Sequence, residues 1–127
     1  MTRTELEHQA MVAKLAKPGL DIIQQLDPRK AHLWHMASAA GGESGELFDA
    51  IKRYAIYDKA LDRENVIEEL GDLEFYLQGI REGLGITREE TLRHNITKLL
   101  TGTKEKAARY ASGSYSDKQA QDRADKS

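Results

Sequence analysis

Cysteine is absent from the 127 residues, so the chain has neither a disulfide framework nor a thiolate metal site. Proline occurs only twice, at Pro18 and Pro28. Apolar residues are scarce for a chain of this length: 39% hydrophobic against 31% charged, with 6% aromatic. So thin a supply is easier to reconcile with a fold if subunits share a core by oligomerising. Neither sign of charge dominates, and a net charge of -2 gives no electrostatic footprint for nucleic acid. No stretch reaches the apolar length needed to span a membrane, and MTRTELEHQA at the N-terminus has no apolar signal core. These absences lead us to expect a cytoplasmic protein with no membrane and no nucleic-acid partner.

What is there is helical punctuation. Leu6, Ala10 and Ala13 recur at helical spacing, with Thr4 and Glu7 as a capping box. Lys17-Pro18-Gly19 ends that helix, because proline disfavours helix in the residue before it and glycine accepts the left-handed C-terminal conformation. Leu20 to Leu26 reads as one or two helical turns. Asp27-Pro28 reads as N-cap and first position of a long helix to about Tyr57, interrupted at Gly41-Gly42. Two readings of that pair stand: a kink or break, or a place where another helix or a substrate approaches the backbone closely. Asp62 caps the next helix, which Gly83 and Gly85 close. Thr87 and Glu90 open a last helix carrying Leu92, Ile96 and Leu99 on one face. Lys104 to Tyr110 resumes helix after a weak stretch. The expected architecture is therefore all-α, an antiparallel bundle of four to five helices over residues 1–110, with 111–127 a polar tail.

Two acidic pairs stand out, Glu43 with Glu46 and Glu69 with Asp72. Each is spaced i,i+3, so each lies on one helical face a turn apart. A turn near Asp58 to Asp62 would make the two helices antiparallel and bring the pairs to a similar height. Each pair sits at the edge of an apolar stripe: Leu47, Ile51 and Tyr54 in one helix, Val66, Leu73, Leu77 and Ile80 in the next. A lone acid on a helix is most often a solvated surface charge. Four of them beside apolar stripes would repel one another, and a hard divalent cation is the natural compensation.

The pattern ExxE, then 22 residues (Leu47 to Glu68), then ExxD resembles the metal-binding signature of the all-α nucleoside triphosphate pyrophosphohydrolases, the superfamily of MazG and the dimeric all-α dUTPases. The flanking runs HMASAAGGESGEL (His35 to Leu47) and EELGDLEFYL (Glu68 to Leu77) are similar to it as well, and the likeness covers roughly Asp27 to Lys98. It implies a helical bundle whose site is completed by oligomerisation, in a dimer or tetramer, and hydrolysis of a nucleoside triphosphate to monophosphate and pyrophosphate. Glu43, Glu46, Glu69 and Asp72 would hold Mg2+, with Mn2+ as its substitute, and Glu46, with Glu43 beside it, would orient or deprotonate the attacking water. Narrower relatives of the dUTPase or dCTPase type, or a non-catalytic helical oligomer binding nucleotide or protein, are the alternatives.

The resemblance also marks substrate contacts. Asn95 and Lys98 in HNITKL match its N..KL element, though a surface Asn and Lys would read alike. An Arg-Tyr usually follows KL soon after, whereas here Arg109-Tyr110 comes ten residues after Leu99. Lys52 and Arg53 are alternative phosphate partners. His32 and His35 are i,i+3, but without cysteine or an HExxH arrangement zinc is not expected; His35 is a packed or capping histidine or a nucleotide contact. Trp34, Tyr54, Phe75 and Tyr76 read as core aromatics, one or two of which could stack on a base.

Overall fold

Five α-helices make up the regular structure of residues 1–101, the part of the chain that the computed structural model describes: α1 Arg3–Leu15, α2 Gly19–Gln25, α3 Pro28–Ala55, α4 Arg63–Leu84 and α5 Arg88–Leu100. No strand occurs among these residues. The described residues are all-α as expected, while the expectations for 104–110 and for the tail lie outside them.

Local chemistry sets most of the boundaries. The Asp27 carboxylate accepts from the Lys30 N–H at 2.8 Å with Pro28 at the first helical position, so α3 starts where the sequence says it should. Asp62 accepts from the Asn65 N–H at 3.1 Å, and Thr87 from the Glu90 N–H at 3.0 Å, at the entries to α4 and α5. Between α3 and α4, Asp58 takes the left-handed conformation (φ 54°), which Asp tolerates better than most residues. The Lys59 N–H reaches back to the Arg53 carbonyl at 3.1 Å and closes the helix end.

Three boundary expectations are corrected. The capping box at the first helix is Thr2 with Glu5, two residues earlier than Thr4 with Glu7. Both pairs have the same pattern, but Thr4 and Glu7 lie inside α1, where Glu7 is instead paired with Arg3 at 3.0 Å. Gly19 is not a left-handed cap: α1 ends at Leu15 because of Pro18, and Gly19 is the first residue of α2. Gly41-Gly42 does not interrupt α3, which runs unbroken through both. A break would strand up to four N–H and four C=O groups, whereas each glycine costs about 1 kcal/mol relative to alanine, so continuing is cheaper.

The C-terminus of α4 is a Schellman motif. Gly85 (φ 67°) donates to Glu82 at 3.3 Å and Ile86 donates to Arg81 at 2.9 Å, satisfying two of the last carbonyls. Gly83 lies inside the helix and is not the residue that takes the left-handed turn.

Two compact units divide the chain, Met1–Ile80 and Arg81–Ser127, with α4 running from one into the other. Within the first, α3 and α4 are antiparallel: Met36 meets Gly79 near one end, and Glu43 meets Glu69 and Asp72 farther along. Only Met36 and Ala50 are buried among the described residues, both on α3. Leu47, Val66, Leu73, Leu77 and Ile80 are half-buried, while Ile51 and Tyr54 are exposed. The aromatics do not form a core in the single chain: Trp34 and Phe75 are 67% and 66% exposed, Tyr54 is 50% exposed, and only Tyr76 of the four is half-buried.

The outer face of α3 explains part of that exposure. At about 100° per residue, Trp34, Ser38, Gly41, Gly45 and Phe48 fall on one stripe, roughly opposite the stripe of Met36, Glu43 and Ala50 that faces α4. Apart from the adjacent residues and the backbone of α3 itself, no described residue comes within 4 Å of where a Cβ would stand at Gly41, Gly42 or Gly45. Of the two readings of Gly41-Gly42, the break is excluded, and no described residue of the chain itself makes the close approach.

Candidate metal centre

The acidic residues come from the middle of α3 and the middle of α4, where antiparallel packing puts them level. Seven residues, about two turns, separate Met36 from Glu43 on α3, and seven separate Gly79 from Asp72 on α4, so the two contacts sit in register. One carboxylate oxygen each from Glu43, Glu69 and Asp72 lies within 4.8 Å of the others. Glu43 and Glu69 are half-buried and Asp72 is exposed, so the group is open to solvent on one side.

Crowding shows in the electrostatics. Glu69 holds its proton above the ordinary value of 4.5, first because packing strips water from it, then through a hydrogen bond with the Glu43 carboxyl. The negative charges of Glu43, Glu46 and Asp72 push in the same direction. Glu46 therefore belongs to the same electrostatic neighbourhood but not to the 4.8 Å cluster. Of the four expected carboxylates, three have oxygens within 4.8 Å of one another, and Glu46, one turn along α3 from Glu43, acts on Glu69 through its charge.

The donor set is made of oxygen alone. Three carboxylates from two helices, with no imidazole or thiolate among them, are the oxygen donors that Mg2+ or Mn2+ prefers, and the open side leaves room for waters or phosphate oxygens. A like-charged cluster with a raised carboxyl is what a cation would relieve. Exposed acidic groups are also common without any ion, so the fit is one of chemistry and geometry.

The other expected site residues fall into groups. His35, Glu46 and Arg53 share one stripe of α3, within about 20° of one another, alongside the carboxylates. All three are exposed. Lys52 stands about 180° around α3 from Glu43, on the outer stripe. There its ammonium lies 6.0 Å from the Phe48 ring centroid and 5.8 Å from that of Tyr57, a cation–π setting directed away from the acids. Tyr76 is on the α4 stripe with Asp72, one turn along, and its ring meets Phe75 edge-on at 5.1 Å. Asn95 and Lys98 are on α5 in the second unit, exposed and half-buried respectively. Arg109 lies outside the described residues.

Sequence reasoning missed the role of His32. Its Nε2 donates to the Gly79 carbonyl at 2.9 Å, tying α3 to α4 at a point two turns along α4 from Asp72. The i,i+4 spacing of His32 and Met36 was visible, but their common partner on α4 was not.

No helix among the described residues is long and apolar enough to cross a membrane. No protein-family model matches the chain, and no curated protein and no solved structure matches it significantly.

Proposed function

We propose that this chain is a magnesium-dependent nucleotide pyrophosphohydrolase that cleaves a nucleoside or deoxynucleoside triphosphate to the monophosphate and pyrophosphate. The observation that carries the reading is the meeting of Glu43, Glu69 and Asp72, with carboxylate oxygens within 4.8 Å, at the positions of the ExxE and ExxD motifs. The acids come from two helices and sit at the edges of their apolar stripes, which supports a shared site over separate surface charges.

Glu43, Glu69 and Asp72 would hold the cation, with Glu46 beside them. When bound, magnesium supplies positive charge that neutralises phosphate oxygens and makes nearby water more acidic. The Glu46 carboxylate, outside the tight cluster and exposed, accepts a proton from the attacking water and orients its oxygen. The water oxygen bonds to the α phosphorus as its bond to the α–β bridging oxygen breaks, and pyrophosphate departs with that oxygen. Arg53, on the same stripe as Glu46, is better placed than Lys52 to steady a phosphate group of this site. His35 and Tyr76 flank the acids as base or sugar contacts, while Asn95, Lys98 and Arg109 are assigned to the triphosphate on the motif likeness alone.

The protein acts in this reading as a cytoplasmic homo-oligomer, a dimer or tetramer. A chain whose described residues bury only Met36 and Ala50 while exposing Trp34, Phe48 and Phe75 has apolar surface in hand for a second copy. The same surface supports a second reading, a non-catalytic helical oligomer that keeps its acids for structure.

Thermal unfolding separates the two at once. The enzyme reading expects millimolar magnesium to raise the melting temperature over a chelator control and triphosphates to be consumed in the same buffer. Absence of both effects would favour the binding module.

A further inference from the structure

At Gly79 the space of the missing side chain is filled by another residue. A methyl group built there would stand 2.9 Å from the Met36 Cγ and closer still to its Sδ, far inside contact distance. Met36 is one of the two buried side chains of the described residues, 8% exposed, so it has little free space into which to retreat. His32, one turn before Met36 on α3, donates from Nε2 to the carbonyl of the same Gly79 at 2.9 Å. Two side chains of α3 thus grip one residue of α4, one by shape and one by a hydrogen bond.

The position of this grip matters because of register. Two turns along both helices from Met36 and Gly79 stand Glu43 and Asp72, with Glu69 one turn farther along α4. Interaxial distance between packed helices ranges over about 8–10 Å according to the side chains at the contact, and glycine gives the close end of that range. Carboxylates reaching across such a gap change their separations by a similar amount when it widens. The His32 bond fixes the slide of one helix along the other, which the shape contact alone does not.

We propose that Gly79, held by Met36 and His32, is a positioning residue that sets the spacing of α3 and α4 at which Glu43, Glu69 and Asp72 come within reach of one cation. It touches neither the cation nor the substrate. The proposal rests on the cation-site reading above only for its functional consequence; the spacing itself is a property of the metal-free chain.

The test uses the full chain in three forms, wild type, Gly79→Val and Gly79→Val with Met36→Ala, and two readouts. Because the sequence has no cysteine, Asp49→Cys and Leu70→Cys give two unique spin-label sites on exposed positions of α3 and α4. Electron–electron resonance, with labelled chain diluted in unlabelled chain, then reads the distance between the helices without any metal. Calorimetric titration with Mn2+ alone, on unlabelled protein, reads the cation affinity.

Gly79→Val is expected to lengthen the mean label distance by about 1–2 Å and to weaken Mn2+ binding by about tenfold or more. Removing the Met36 side chain should restore both. Circular dichroism checks the fold; if valine unfolds the chain, Gly79→Ala takes its place, expected to give a smaller shift of the same sign although alanine is the better helix former. An unchanged distance in the glycine variants overturns the proposal, as does an unchanged Mn2+ affinity in a chain whose wild type binds the ion. If the wild type binds no Mn2+, the cation-site reading falls, and the label distances still decide whether Gly79 sets the spacing.

Discussion

Glu43 and Glu69 meet carboxyl to carboxyl across α3 and α4, close enough to hydrogen bond, and such a bond requires one of the two to carry a proton. Loss of water on packing, that hydrogen bond and the negative charges of Glu43, Glu46 and Asp72 all raise the Glu69 carboxyl above its ordinary 4.5. A cation offered to the site competes for the same oxygens. Several consequences can be measured.

Stability in chelator should fall with rising pH because of Glu69. Its folded-state pKa is raised above the ordinary 4.5, so its contribution favours the fold fully below that value and is lost as pH rises through the raised folded value. Glu69→Gln removes this term, and we expect the variant to melt higher than wild type at neutral pH without metal. Magnesium should raise the wild-type melting temperature at neutral pH and leave that of the variant nearly unchanged. Thermal melts over a pH series, with and without magnesium, check both signs.

Asp72→Asn keeps the shape of an exposed side chain while removing one of the three anionic donors. Triphosphate turnover should drop on the order of 100-fold, with circular dichroism unchanged. Turnover equal to wild type in this variant and in Glu69→Gln would remove the acids from the mechanism.

Arg53 and Lys52 are adjacent in sequence yet point to different sides of α3, about 100° apart. Arg53→Ala should raise KM or lower kcat for a triphosphate, because its stripe passes beside Glu46. Lys52→Ala, on the far side and held between Phe48 and Tyr57, should change kcat/KM less than Arg53→Ala does. A larger effect at Lys52 than at Arg53 would mean that the outer face of α3 lines the site, as it would if a second copy closed over it.

Asp27 starts the helix that carries half of the site. Replacing it by Ala removes the bond to the Lys30 N–H and should destabilise the protein by about 1 kcal/mol, read as a fall in the denaturation midpoint at constant slope.

Much of this arrangement is legible in the chain because its signals are local. Asp27-Pro28, Asp62 and Thr87 each satisfy orphan N–H groups within three residues, so their helices start where the pattern puts them. The spacing of the acids fixes their helical face, and the loop after Tyr57 fixes the antiparallel return. What was not legible depends on competition or on partners distant in sequence. Thr2 and Thr4 offer the same box, and only the helix end decides between them. Gly41-Gly42 reads as a break because propensity counts residues singly, whereas the helix gains by not exposing its ends. Gly79 reads as an ordinary helical glycine until His32 and Met36, more than forty residues away, are seen to close on it.

Assembly is an expectation drawn from the exposed aromatics. Trp34, Phe48 and Phe75 would be core residues in a chain that buried them, yet each is about two thirds exposed. Light scattering at micromolar concentration should give a dimer or larger. A monomer would leave those aromatics without a structural role and would count against a site completed by a second copy.

The most direct measurement is chromatographic: purified protein and magnesium with a mixture of all ribo- and deoxyribonucleoside triphosphates, following nucleotides and pyrophosphate together. The account predicts loss of one or more triphosphates with equal gain of monophosphate and pyrophosphate, stopped by chelator. Release of orthophosphate and diphosphate instead, or turnover that persists in chelator, would contradict it.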